Sequence, residues 1–234
     1  MTAILTDIEG TTGSIAFVRD VLFPYARERL PAFINDNADT PQVATLIRDA
    51  ARDAGLESLT PDEATTVFLA WMEADLKVTT LKTLQGLIWE LGYRDGVLKG
   101  HVYDDAVAGL KRWHEAGLPI YVYSSGSISA QRLLFKFSEH GDLASLFTGY
   151  FDTTVGLKTE VESYTRICTR IGQDPGATVF LTDSPAEISA AHAAGLKTVW
   201  LTRPDTPSPD GAPTEADLNA VSFIDIDPEA LTAG

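Results

Sequence analysis

The 234-residue sequence predicts an α/β protein, a parallel sheet with helices on both faces, interrupted by a long helical insertion. Three observations predict it. Short apolar runs stop abruptly in polar residues at Asp7, at Ser124-Ser125 and at Asp183. From Gly100 onward such runs alternate with segments of helical period. Between Gly13 and Gly100 helical patterns follow one another with no strand pattern among them.

In chain order, Ala3–Thr6 is an apolar run closed by Asp7 and Gly10, the pattern of a buried parallel strand. Phe17, Val21, Leu22, Tyr25, Leu30, Phe33 and Ile34 recur at helical spacing, with a kink or break expected at Pro24. Thr40-Pro41 reads as an N-cap followed by the first helical residue, with Val43, Leu46, Ile47, Ala50 and Ala54 on one face and Gly55 as the stop. Thr60-Pro61-Asp62-Glu63 is a capping box, and its apolar pattern runs on through Asp75 and Leu76. A further helical pattern spans Leu81 to Leu91.

Asp104 is placed to cap a helix carrying Val107, Leu110 and Trp113 and ended by Gly117. Pro119–Tyr123 is a strand, and Ser129 starts a helix with Leu133, Leu134 and Phe137. Thr159 opens a helix carrying Val161, Tyr164, Ile167, Cys168 and Ile171, ended by Gly172. Thr178–Leu181 is a strand, Pro185–Ala194 a helix and Lys197–Leu201 a strand. Arg203–Pro213 holds Pro204, Pro207, Pro209 and Pro213 and reads as an exposed loop.

Composition narrows the function classes. Eighteen Lys+Arg against 33 Asp+Glu give a formal charge of −15, which repels nucleic-acid backbones and anionic lipid but leaves room for a small anionic substrate in a locally positive site. The lone Cys168 forms no internal disulfide and offers no zinc cluster. No apolar run approaches the ~18 residues of a membrane span, and the N-terminus lacks a signal-peptide pattern. The expectation is a cytoplasmic protein with no nucleic-acid or membrane partner.

In a parallel sheet the ligand site lies at the carboxyl ends of the strands, so Asp7, Ser124-Ser125 and Asp183 converge on one edge. Asp7 and Glu9, two residues apart, suit a carboxylate nucleophile toward phosphorus and an acid/base for the leaving oxygen and for water. The alternative is a turn-capping Asp7 beside a solvated Glu9. Ser124-Ser125-Gly126-Ser127 offers hydroxyls and N–H groups for phosphate, or simple N-capping. Lys158 can neutralise a carboxylate nucleophile and a phosphoryl oxygen, or merely be solvated. Asp183 and Glu187, one helical turn apart, can hold Mg²⁺, or serve as a cap and a solvated carboxylate.

The order Asp7-x-Glu9-Gly10-Thr11, Ser124, Lys158, Asp183 resembles the four motifs of the haloacid-dehalogenase superfamily. Asp7-Ile8-Glu9-Gly10-Thr11-Thr12, Leu22-Phe23-Pro24-Tyr25, Leu81-Lys82-x-Leu84-Gln85-Gly86 and Tyr123-Ser124-Ser125-Gly126-Ser127 are similar to its enolase-phosphatase branch of methionine salvage. Glu162-Ser163-Tyr164 and Phe180-Leu181-Thr182-Asp183 agree with the same branch. The resemblance implies a Rossmann-like core over residues 1–16 and 101–234, with an α-helical cap at 17–100. It implies a monomer with a Mg²⁺ cofactor, bound by Asp7, by Asp183 and by Glu9 through its backbone carbonyl. Asp7 would be nucleophile, Glu9 acid/base, Ser124 and Ser125 phosphate ligands, and Lys158 a ligand of phosphate and substrate. The implied reaction enolises 2,3-diketo-5-methylthiopentyl-1-phosphate and then removes its phosphate. Alternatives are a superfamily phosphatase of another small phosphate ester and a signalling module whose Asp accepts phosphate.

Overall fold

A computed structural model of the protein describes residues 1–204, 213 and 215–233. Its contacts divide the chain into two units, one of Met1–Val18 with Lys99–Gly234 and one of Arg19–Leu98. Strand β1 (Ala3–Thr6) opens the first unit and is buried along its whole length, as an uninterrupted apolar run requires. A single helical turn follows, α1 (Ile15–Phe17).

Residues Val18–Leu22 then wind as a π-helix, and α2 (Phe23–Asn37) begins directly after it. Pro24 therefore sits in the first turn of α2, where its missing N–H leaves no helical bond unmade. The expected break is a change of winding just before this proline, not a kink at it. Helix α3 (Pro41–Asp53) is capped by Thr40, whose hydroxyl accepts from Val43 N at 3.4 Å.

The capping box of α4 (Pro61–Glu73) is complete: Thr60 Oγ1 accepts from Glu63 N at 3.3 Å, and Glu63 accepts from Thr60 N at 2.8 Å. Asp75 and Leu76 lie beyond the end of α4, contrary to the pattern that carried the helix through them, because Asp75 turns left-handed at φ 49°. Helix α5 (Thr79–Arg94) completes the second unit, whose core is Leu30, Ile34, Leu46, Phe68, Leu84 and Ile88.

The first unit resumes with α6 (Asp104–Glu115). Tyr103 is its N-cap residue, so Asp104 lies inside the first turn, where its charge favours the helix dipole without capping it. Next come β2 (Ile120–Tyr123) and α7 (Ile128–Lys136), the latter capped by Ser127. Strand β3 (Gly149–Phe151) precedes α8 (Val161–Ile171), which begins two residues after Thr159 and ends in a left-handed Gly172 at φ 67°. The chain continues through β4 (Thr178–Thr182), α9 (Pro185–Ala193), β5 (Lys197–Leu201), β6 (Leu218–Ala220) and α10 (Pro228–Thr232). Strands β3 and β6, three residues each, have too few positions to show a period in the sequence.

The six strands are parallel in the order β3-β2-β1-β4-β5-β6. Alternation along each strand builds two cores. Ile4, Val122, Val179 and Leu181 pack on one face with Val107, Leu110 and Trp113 of α6. Leu5, Tyr123 and Phe180 pack on the other with Tyr164, Ile167, Ala190 and Ala191 of α8 and α9. Because β1 lies between β2 and β4, the residues after these three strands emerge side by side. Of the proline-rich loop, Pro207 and Pro209 lie outside the described residues. Its first residue contradicts the expected exposure: Arg203 is 4% exposed.

Candidate active site

Asp7 continues β1 by one residue, its N–H donating to Leu181 O of β4 at 2.9 Å, and its side chain is buried. The chain must then turn at once. Gly10 takes φ +70°, and a Cβ built there would overlap the Asp183 carboxylate. Only glycine lets this turn lie against Asp183. Thr12 Oγ1 donates back to Asp7 O at 3.1 Å and holds the turn closed.

Ser124 follows β2 and is fully buried; its hydroxyl donates to Glu9 Oε2 at 3.1 Å and accepts from Gly126 N at 3.2 Å. Glu9 is half-buried, and Ser125 is exposed. Lys158 comes from the loop after β3. Its Nζ lies 2.6 Å from Asp7 Oδ1 and 2.8 Å from Glu187 Oε2. Two tyrosines fix this loop: Tyr164 donates to Lys158 O at 2.6 Å and Tyr123 to Gly156 O at 3.0 Å. Asp183 follows β4, its carbonyl accepting from Trp200 Nε1 at 2.9 Å.

The structure gives Glu187 a partner that local spacing does not show. Its i+4 relation to Asp183 suggested a shared ion, whereas its carboxylate accepts from Thr182 Oγ1 at 2.7 Å and pairs with Lys158. The structure thus joins Asp7 and Glu187 to Lys158 and Ser124 to Glu9, and sets Asp183 against Gly10. Ser125 makes no hydrogen bond in this group.

Four carboxylates surround one ammonium, and their protonation reflects it. Burial, then the charge of Asp7, raises the Asp183 carboxyl to about 6 and the Glu187 carboxyl to about 7. Burial and Asp7 raise Glu9 in the same way. Burial opposes the charged form of Lys158, but Asp7 and Glu187 outweigh it, so its ammonium is held above the usual lysine value. A centre with this excess of buried negative charge favours a further cation, and its donors are hard oxygens that suit a magnesium-like ion. Among the described residues, no three His, Cys, Asp or Glu side chains form a ready-made metal cage.

Comparison with known proteins gives one answer. Residues 1–195 match the family model of haloacid dehalogenase-like hydrolases. A protein of Pseudomonas fluorescens named Enolase-phosphatase E1 is 49% identical over 228 residues, covering 97% of this chain and 98% of its own. The Enolase-phosphatase E1 of Azotobacter vinelandii is 51% identical over 219 residues, covering 94% and 96%. Among solved structures, the UTR4 protein of Saccharomyces cerevisiae is 32% identical with a TM-score of 0.81, covering 96% of this chain and 99% of that one. With a parallel sheet that gathers a buried Asp–Lys pair at its edge, and with this similarity along nearly its whole length, the chain belongs to the enolase-phosphatase family of haloacid dehalogenase-like hydrolases.

Proposed function

We propose that this enzyme enolises 2,3-diketo-5-methylthiopentyl-1-phosphate and then hydrolyses the enol phosphate, releasing 1,2-dihydroxy-3-keto-5-methylthiopentene and phosphate in methionine salvage. We read it as a cytoplasmic monomer whose ion is Mg²⁺, and the helical unit Arg19–Leu98 as the family's cap insertion. No helix among the described residues is long and apolar enough to cross a membrane. The observation that carries the reading is the buried contact of Lys158 with Asp7 beside the Ser124–Glu9 hydrogen bond.

Each residue then has a task. Asp7 attacks phosphorus through a carboxylate oxygen as the P–O bond to the leaving group breaks, giving an acyl phosphate on Asp7. Glu9, raised by burial and held by Ser124, suits the acid that protonates the leaving oxygen. The resulting Glu9 carboxylate takes a proton from water, which attacks phosphorus and restores Asp7. Lys158 offsets the charge of the nucleophile and of a phosphoryl oxygen, with Glu187 keeping its ammonium in place. Ser124 and Ser125 receive the remaining phosphoryl oxygens.

Haloacid dehalogenase-like phosphatases generally depend on a metal ion. Asp7, Asp183 and the Glu9 carbonyl would hold the ion, which would supply charge stabilisation to a developing enolate and to phosphoryl oxygens.

Incubation with the diketo phosphate tests this reading, with ultraviolet absorption of the enol and free phosphate followed separately. The wild type should give both signals. Asp7→Asn should give no phosphate release, because an amide is a poor nucleophile. Release within a few-fold of wild type would remove Asp7 from its role.

A further inference from the structure

The fifth strand end also serves the site. Arg203 leaves β5 two residues after Leu201 and turns its side chain inward, where it is only 3% exposed. Its Nε and one terminal nitrogen donate to the Thr11 carbonyl at 2.9 and 2.6 Å. The other terminal nitrogen forms a fork with Asp105, at 3.0 and 2.8 Å from the two carboxylate oxygens. The guanidinium lies 4.3 Å from the Tyr103 ring centroid and 5.3 Å from that of Phe223. Asp105 is held in turn by Phe223 N at 2.8 Å and Ser222 Oγ at 3.1 Å.

Thr11 is the middle of the turn that sets Asp7. Gly10 N donates to Gly13 O, Thr11 N and Gly13 N donate to Ile8 O, and Thr12 Oγ1 closes on Asp7 O. These bonds lie within residues 7–13 and join them into one block, whose start is tied to β4 through Asp7 N and Leu181 O and whose carboxylates meet Lys158 and Ser124. Outside that block, Tyr103 N donates to Thr12 O at 2.9 Å, and Arg203 supplies the charged anchor. A buried charge-assisted bond is roughly twice as strong as a neutral one. Only a guanidinium can satisfy Thr11 O and the Asp105 fork together; an ammonium has no such plane.

We propose that Arg203 is a positioning residue for catalysis. By gripping Thr11 O, it sets the Gly10–Thr12 turn that places Asp7 against Lys158 and Gly10 against Asp183. The inference rests on the reading of Asp7 as nucleophile. It assigns a function to an arginine that sequence alone put at the start of an exposed loop.

The test compares R203K, D105N and R112A, with kcat and KM for phosphate release measured at a temperature where circular dichroism shows each variant folded. R112A is the control for mere loosening. Arg112 donates to Phe223 O, Ile224 O and Ile226 O, in the segment that also supports Asp105, and touches nothing in the turn. R203K should lower kcat at least about tenfold with KM within about threefold, since small displacements of a reacting group carry penalties up to about a hundredfold. D105N keeps the arginine but loses its charged fork, and should lower kcat by a smaller factor. R112A should lower the melting temperature and leave kcat unchanged. Equal kcat in all three variants and wild type would overturn the inference and leave Arg203 a structural residue. If R203K does not fold, D105N decides alone: a fall in kcat supports the grip and an unchanged kcat refutes it. D7N, run alongside, keeps the two readings apart. An active D7N removes the nucleophile assignment, whereas an inactive D7N with an unimpaired R203K removes only the role of Arg203.

Discussion

Gly10→Ala isolates the close approach of the Asp7 turn to Asp183. Two effects act on the variant. At φ +70° an L-residue carries roughly 1–2 kcal/mol of backbone strain. The new methyl would also occupy the space of the Asp183 carboxylate, whose main-chain carbonyl is bonded by Trp200 Nε1. The side chain of Asp183 must therefore swing away. Gly172→Ala supplies the control, because Gly172 has φ +67° and nothing within 4 Å of its built Cβ.

Both variants should lose about 1–2 kcal/mol from strain, or about 2–8 °C in melting temperature for a unit of this size. Gly172→Ala should keep its kcat. Gly10→Ala should lose about a hundredfold in kcat, the scale of a displacement of about 1 Å at a reacting centre. Calorimetry gives the first quantity, and phosphate release at saturating substrate gives the second. A Gly10→Ala enzyme within about threefold of wild-type kcat would mean that Asp183 is not needed where it stands.

Three further outcomes are expected. Glu9→Gln should slow phosphate release by about 10²–10⁴ and accumulate enol phosphate, while Asp183→Asn should impair both half-reactions; equal loss of both signals in both variants would contradict separate roles. Chelator in excess should stop turnover and added Mg²⁺ should restore it; full activity after exhaustive chelation would exclude the ion. Asp105 is half-buried, which alone would raise its carboxyl, but the Phe223 N–H and Arg203 hold it below its ordinary 3.8. Its contribution to stability is therefore present above pH 3.8 and lost as pH falls through the folded value. The melting-temperature difference between wild type and Asp105→Asn should narrow below about pH 4, and a constant difference from pH 7 to 3 would refute the pairing.

What the sequence determined by itself is whatever depends on neighbours a few residues away. Thr60 and Glu63 cap α4 through atoms three residues apart, and Gly172 ends α8 because its backbone alone can turn left-handed there. The apolar runs ending at Asp7, Ser124 and Asp183 showed both the parallel sheet and the edge where chemistry gathers, since a strand covered on both faces reads as a near-continuous apolar run. The failures were local too: nothing in the apolar pattern marks Asp75 as the left-handed stop of α4.

Tertiary structure decided the contacts made across the sheet. Lys158 meets Asp7 and Glu187 because β3 pairs with β2 at the edge, and β3 is too short to be seen as a period. Glu187 turns to Lys158 rather than to Asp183's side for the same reason: its partner lies 29 positions back in the chain. Arg203 is separated from Thr11 by 192 positions, and no local pattern distinguishes a buried anchoring arginine from a solvated one. Periodicity reports which face of an element is buried, whereas the identity of a buried charge's partner is fixed only when strand order brings distant loops together.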